Sequence, residues 1–304
     1  MGLRRAVIGL VLCTIATTTV IVTGAGTAQA DDPIFVDWTS QLPSWSDQYD
    51  PNSANDCVAG RSNCIDKTIK EMQRRFDPLG QSCDHNAVFS LAYLRTTQTY
   101  KWARDQDGFF QDTPYVNHED AVFAKYYFDA YDNWASGNRS AVPQAWLIAF
   151  DAAKAKKVSG SGSLFLGMSA HVNRDLPYVL AAIGITYPDG TSRKADHDAF
   201  NDILDDAYTN VVDAITQRFD PVVGLTNSDL TPLDDFAGLQ LVRGWRETVW
   251  RNAERLLAAK TDAQRQAVAD SIEENAAVWA ASIAATPQPG YRAIRDAYCA
   301  SRAS

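Results

Sequence analysis

The residues best suited to chemistry in this chain are its four histidines, each of which helical spacing places on an inward helix face. His171 precedes Asp175 by four residues, so both side chains project from the same face, one turn apart. A carboxylate in the middle of an apolar stripe is costly unless it is paired, hydrogen-bonded or bound to a metal. The pair therefore predicts a buried acid–base or metal-binding site.

Histidine and aspartate side chains drawn from separate helices suit zinc or another divalent ion. The candidate metal ligands are His118, His171 and Asp175. One bound ion would lower the pKa of its water and polarise an ester or phosphoester. These residues predict a metal-dependent hydrolase that acts on a small-molecule or lipid-like substrate.

The candidate acids and bases beside that ion are His85, Asp84 and Asp120. His85, His118 and His197 are predicted to lie in first helical turns, where the helix dipole disfavours imidazolium and favours the neutral ring. The nearby Glu119 and Asp198 are better explained as first-turn charges that the dipole attracts.

Two other interpretations stay open. The same histidines and aspartates can form a buried polar network that fixes helix register, in a non-catalytic exported protein that binds a ligand or a surface component. A metal-free enzyme that uses His171 and Asp175 as acid and base is the third interpretation. Geometry separates them, because zinc ligands must converge on a point about 2.0–2.2 Å away.

The elements that position these residues are predicted to be almost entirely helical, since apolar residues recur with helical periodicity. The predicted helices span residues 63–76, 84–104, 118–136, 142–157, 163–184, 197–218, 232–259, 262–285 and 290–302. Predicted caps are Asn117, Asp196 and Thr261, and Pro78 and Pro221 are predicted to end helices. The fold class is all-α: a single-domain multi-helix bundle over 63–304, preceded by an irregular N-terminal arm over 31–62.

Aromatic and arginine side chains cluster on the predicted helix that follows Pro232. Trp245 and Arg246 are examples. Such a cluster can line a ligand groove, but helical spacing makes core packing the default interpretation.

Residues 1–30 have the three parts of a secretory signal peptide. Arg4 and Arg5 supply the basic start, residues 6–22 are apolar and Thr-rich, and Ala28-Gln29-Ala30 is a small-x-small cleavage site. The apolar part is short and ends in that cleavage site, which favours cleavage over an uncleaved membrane anchor. No later segment is long and apolar enough to span a bilayer, so we expect a secreted protein without a transmembrane segment.

The mature chain is strongly acidic. Removing Arg4 and Arg5 from the 28 basic residues leaves 26 against 37 acidic ones, a formal charge of −11. That charge argues against a nucleic-acid backbone as an electrostatic partner.

Four cysteines remain after residue 30, and an even number in an exported chain predicts two disulfides. Three pairings are conceivable. The expected one joins Cys57 to Cys64 across a local loop and Cys83 to Cys299, which ties the last helix to the body. The spacing contains no CxxC pair, so a cysteine metal site is disfavoured.

The heptapeptide His171-Val172-Asn173-Arg174-Asp175-Leu176-Pro177 resembles a helix shared by a family of actinobacterial proteins of unknown function. Residues 84–97 and 118–134 fit the same pattern. The resemblance covers most of the mature chain and implies no activity.

A more distant similarity links the His171–Asp175 pair to the all-helical zinc phospholipases C and related zinc nucleases, which also use an H-x-x-x-D pair. Those enzymes use a tryptophan at the mature N-terminus as a ligand, whereas this chain would begin at Asp31 with its first tryptophan at Trp38. They also need more histidines than this chain has. The similarity therefore implies at most a single ion.

Overall fold

The computed structural model describes residues 31–226, 232–285 and 291–302. The predicted signal peptide lies outside these ranges. Across them the chain is helical apart from its connections, and the only strand-like pairing is an isolated bridge between Thr186 and Ser192. The all-α prediction is confirmed.

The helices follow one another through short connections. They are α1 (Ser62–Gln81), α2 (Ala87–Arg104), α3 (Thr113–Ala135), α4 (Gln144–Lys154), α5 (Gly160–Ser169), a π-helical segment (Ala170–Asp175), α6 (Leu176–Ile183), α7 (Lys194–Arg218), α8 (Val223–Thr226), α9 (Pro232–Ala258), α10 (Asp262–Ala284) and α11 (Tyr291–Ala300). Helix α2 is central and packs against α1, α5 and α7, while α10 covers α4 and α5 and α6 packs against α9. None of the helices within the described ranges has the length and apolarity to cross a membrane.

The N-terminal arm is irregular, as predicted, with one short 3-10 turn at Thr39–Gln41. Its main anchor is Trp38, which is buried and packs edge-on against Phe128 with ring centroids 5.7 Å apart. An ion pair between Lys154 and Asp32, at 2.7 Å, holds the start of the arm. The arm therefore lies against the bundle and contributes to its core.

Both predicted disulfides are confirmed. Cys57 and Cys64 close a local loop where the arm meets α1. Cys83, just after α1, joins Cys299 in α11 across 216 residues of chain.

Several helix boundaries differ from their predictions. Helix α1 continues through Pro78 to Gln81, because a proline in a last turn removes only one backbone hydrogen bond. Helix α3 begins at Thr113, where the Asp112 carboxylate accepts the Tyr115 N–H at 3.2 Å, so the predicted cap Asn117 lies inside the helix. Thr261 does cap α10, accepting the Gln264 N–H at 3.2 Å.

The single helix predicted over 163–184 is in fact interrupted. The chain widens into the π-helical segment Ala170–Asp175 before α6 resumes α-helical geometry with Pro177 in its first turn. Proline has no N–H to continue the regular ladder, which accounts for a break at this place. Short π-helical segments inside α-helices frequently occur at functional sites, and this one contains both His171 and Asp175.

A candidate acid–base site in an apolar cavity

Helices α2, α3, α5, α7 and α9 enclose a cavity of about 350 Å³ together with the π-helical segment. Its wall is mostly apolar and is formed by rows of side chains at helical spacing. Examples are Phe89 and Ala92 on α2, Leu164 and Met168 on α5, and Phe200 and Leu204 on α7. The volume is within the range of small-molecule sites.

The predicted His171–Asp175 pair lies at this cavity. Asp175 Oδ2 is 3.0 Å from His171 Nδ1 and also accepts the Trp146 indole N–H at 2.9 Å. Arg174 donates to the other carboxylate oxygen at 3.1 Å. A carboxylate only accepts hydrogen bonds, so Nδ1 of the imidazole carries the proton and Nε2 presents a lone pair.

Nε2 of His171 is buried and has no hydrogen-bond partner among the described residues. The ring is held by stacking on Phe123, with centroids 3.4 Å apart and planes at 3°. Burial lowers the pKa of His171 and the Asp175 carboxylate opposes that shift, so the ring is neutral at pH 7. The site thus holds an oriented base on the wall of a cavity.

Two more buried polar atoms on the cavity wall have no partner within the described ranges: Tyr93 Oη and Asp120 Oδ2. The rings of Tyr93 and His171 are in contact, with centroids 4.6 Å apart. Burial raises the pKa of Asp120 to about 7, with the charge of Glu119 adding to the shift. Burial and the charge of Asp120 raise the pKa of Tyr93. Buried polar groups are nearly always hydrogen-bonded, so this cluster is suited to receive a ligand.

Glu119 and Arg246 also line the cavity. Burial raises the pKa of Glu119 to about 7, and the positive charge of Arg246 opposes the rise. Arg246 donates to Asn201 Oδ1 at 2.9 Å and to the carbonyl of His197. The polar end of the cavity therefore contains a base, two carboxyl groups, one hydroxyl and one guanidinium.

His118 lies elsewhere. Its Nδ1 is 2.9 Å from the carbonyl of Cys57 and its Nε2 is 3.0 Å from the carbonyl of Asp47. It is fully buried and sits in the second turn of α3. Its contacts join the arm to the bundle, which is a structural role.

His85 and Asp84 do not line the cavity; both lie in the turn before α2. His85 Nε2 is 2.9 Å from Asp296 Oδ1, and its Nδ1 accepts from Arg295 at 2.9 Å. Asp84 Oδ1 accepts the Asn86 N–H at 2.8 Å. Burial lowers the pKa of His85 to about 4, which keeps the ring neutral in a contact that fastens α11.

The predicted metal ligands do not converge. His171 and Asp175 are together, but both nitrogens of His118 are occupied by carbonyls of the arm. Within the part of the chain that the structure describes, no group of three or more His, Cys, Asp or Glu side chains is placed to hold a metal ion. The residues present therefore do not fit the predicted single-ion site.

Of the six predicted site residues, the structure brings His171, Asp175 and Asp120 to one place. Sequence reasoning missed Tyr93 and assigned Glu119 to the helix dipole. A signal was available for Glu119: it lies three residues after Val116 and four before Phe123, and both of those line the cavity.

The fold and the site define a disulfide-bonded helical bundle with a buried His–Asp pair beside an apolar cavity. The chain belongs to the Family of unknown function (DUF5995), whose model matches residues 65–286. No curated protein and no solved structure matches it. The matched range includes all five cavity helices and the π-helical segment, and the arm lies before it.

Proposed function

We propose that this protein is an exported hydrolase in which His171 activates water against an ester of an apolar, lipid-like substrate. The observation that carries the proposal is the unpartnered Nε2 of His171 on the cavity wall, with the Nδ1 proton fixed by Asp175. A neutral imidazole in a fixed tautomer is the usual general base near pH 7.

The proposed ester hydrolysis proceeds in two stages, addition of water and loss of the alcohol. Water donates a proton to His171 Nε2 while its oxygen bonds to the ester carbonyl carbon, and Asp175 stabilises the imidazolium that forms. The Tyr93 hydroxyl donates to the developing carbonyl oxygen. The bond between carbon and the leaving oxygen then breaks, and the imidazolium returns its proton to the alcohol. A carboxylic ester suits the site better than a phosphoester, because Glu119 and Asp120 repel an anionic phosphate.

Export is part of the proposal. Both disulfides support it, since disulfides persist in oxidising compartments. The N-terminal pattern of residues 1–30 points the same way.

The test is hydrolysis of chromogenic acetate, octanoate and laurate esters by the purified mature protein. We expect the octanoate to be preferred over the acetate, because the cavity wall is apolar. His171→Gln should reduce kcat/KM by about 10²–10⁴-fold, the usual contribution of a general base. The matched control is His85→Gln, which alters a buried histidine away from the cavity and should retain turnover.

A second candidate is a non-catalytic carrier of the same ligands, which the mostly apolar cavity favours. It predicts that octanoate-sized ligands bind to the protein while none of the three esters is hydrolysed. Equal turnover by His171→Gln and the unaltered protein would also contradict the hydrolase.

A further inference from the structure

The buried Asp120 side chain forms no direct ion pair within the described residues, although the charge of Arg104 favours its ionised form. Asp120 is 6% exposed, and Oδ2 has no hydrogen-bond donor anywhere in the described chain. Arg104 donates its hydrogen bonds to other groups, the Asn117 side chain at 3.3 Å and the Ser62 carbonyl at 3.1 Å. A buried carboxylate left in this way is strongly destabilising.

Glu119 and Asp120 differ in where their compensating cations lie. Arg246, whose charge favours ionised Glu119, lines the same cavity. Arg104, whose charge favours ionised Asp120, does not line it. On the cavity side, a ligand can therefore supply the donor that Asp120 Oδ2 lacks.

The polar atoms around Asp120 also define which ligand group fits. His171 Nε2 accepts hydrogen bonds, the carboxylate of Asp120 accepts them, and Tyr93 Oη donates one at most. Acceptors outnumber donors among these three atoms, so a ligand group that fits them is rich in N–H or O–H. Because Arg104 donates its hydrogen bonds to other groups, a protonated amine supplies Asp120 with both a donor and an adjacent positive charge.

We infer that the cavity takes an apolar molecule with a primary ammonium group, which Asp120 binds as its counter-ion beside His171 and Tyr93. This inference rests on the proposed function and names the substrate class of the same site. The hydrolysed ester would thus be that of an amine-bearing amphiphile.

Two further features support an ammonium ligand. Phe123 and Tyr93 line this end of the cavity with rings 5.9 Å apart, and aromatic faces attract cations. With its pKa raised to about 7, Asp120 is ionised in part of the population at neutral pH, and an ammonium group favours that ionised form.

The experiment is calorimetric titration of the full mature chain with octylamine, octanol and octanoic acid, which share one chain length. We expect octylamine to bind at least about tenfold more tightly than octanol, the usual advantage of a hydrogen bond to a charged group. Asp120→Asn should remove that advantage and leave octanol binding unchanged. Glu119→Gln is the matched control and should keep the preference for the amine.

Tighter binding of octanoic acid or octanol, or an amine preference that survives in Asp120→Asn, would overturn the inference. These outcomes are distinct from failure of the hydrolase. Binding is measured without turnover, so an amine preference without ester hydrolysis contradicts only the proposed hydrolase. Ester hydrolysis without an amine preference contradicts only the inferred substrate class.

Discussion

Asp175 sets the tautomer of His171. The carboxylate lies 3.0 Å from Nδ1 and receives the Trp146 indole at 2.9 Å through the same oxygen. Both residues are buried, and they are one turn apart on the π-helical segment. The lone pair on His171 Nε2 therefore depends on a residue that does not line the cavity.

Asp175→Asn should change the tautomer of His171 while keeping nearly the same side-chain volume at position 175. An amide can donate to Nδ1 and so favour the tautomer with the proton on Nε2, which removes the base from the cavity. We expect ester turnover to fall by on the order of 10³–10⁴, the loss known for the same change beside a catalytic histidine. Nitrogen NMR of the imidazole provides a readout that packing alone does not move: the protonated nitrogen should switch from Nδ1 to Nε2. An unchanged tautomer would contradict the assigned role.

Asp120→Asn should stabilise the protein above neutral pH. Burial raises the pKa of Asp120 to about 7 from 3.8, so the folded state holds a proton that the unfolded state has lost. The stability that this proton provides is present below about pH 4 and disappears as pH rises through 7. Asparagine imitates the protonated acid, so the variant should match the wild type near pH 4.

At pH 8 Asp120→Asn should be the more stable protein by on the order of 2–4 kcal/mol. Glu119, Arg104 and Tyr93 face the same group and remain in the variant, so part of the pH dependence will persist. Urea unfolding at both pH values measures the difference. Equal stability of the two proteins at pH 8 would show that Asp120 already has a partner in solution.

Much of this architecture could be predicted from periodicity. All four histidines are buried, as predicted. The helical rows account for His118, His171 and His197, whereas His85 lies in the turn before α2. Phe89, Met168 and Phe200 lie on the inward faces of their helices, where helical periodicity would place core residues. They nevertheless line a cavity, because the spacing of residues along a helix does not determine how far neighbouring helices stand apart.

The metal-site prediction needed information that periodicity does not contain. Periodicity identifies which face of a helix points inward, but it does not identify the residue of another element that packs against that face. His118 and His171 both point inward, yet one meets carbonyls of the arm and the other meets Phe123. The irregular arm has no period from which its contacts with α3 could be predicted.

His118→Ala should loosen the arm and leave the cavity intact. A neutral imidazole has one N–H, so the change removes the hydrogen-bond donor of either the Asp47 or the Cys57 carbonyl. Leaving that carbonyl buried and unsatisfied costs about 1–3 kcal/mol. Limited proteolysis should cut the variant within residues 31–56 at concentrations that spare the wild type. Octylamine affinity should be unchanged, because His118 does not line the cavity. A loss of ligand binding with an intact arm would mean that His118 acts at the site.

The two disulfides should contribute differently to the free energy of unfolding, because they close loops of very different length. Cys83–Cys299 spans 216 residues and Cys57–Cys64 spans seven. In the chain-entropy treatment the longer loop restricts the unfolded state more, by about 3 kcal/mol. The double variant Cys83→Ala/Cys299→Ala should therefore have a lower free energy of unfolding than Cys57→Ala/Cys64→Ala, in parallel denaturant titrations. His85 and Arg295 still fasten α11 after that cross-link is lost, so the fold should persist under mild conditions. If the short-loop variant is the less stable one, native contacts around the arm outweigh the entropy of the unfolded chain.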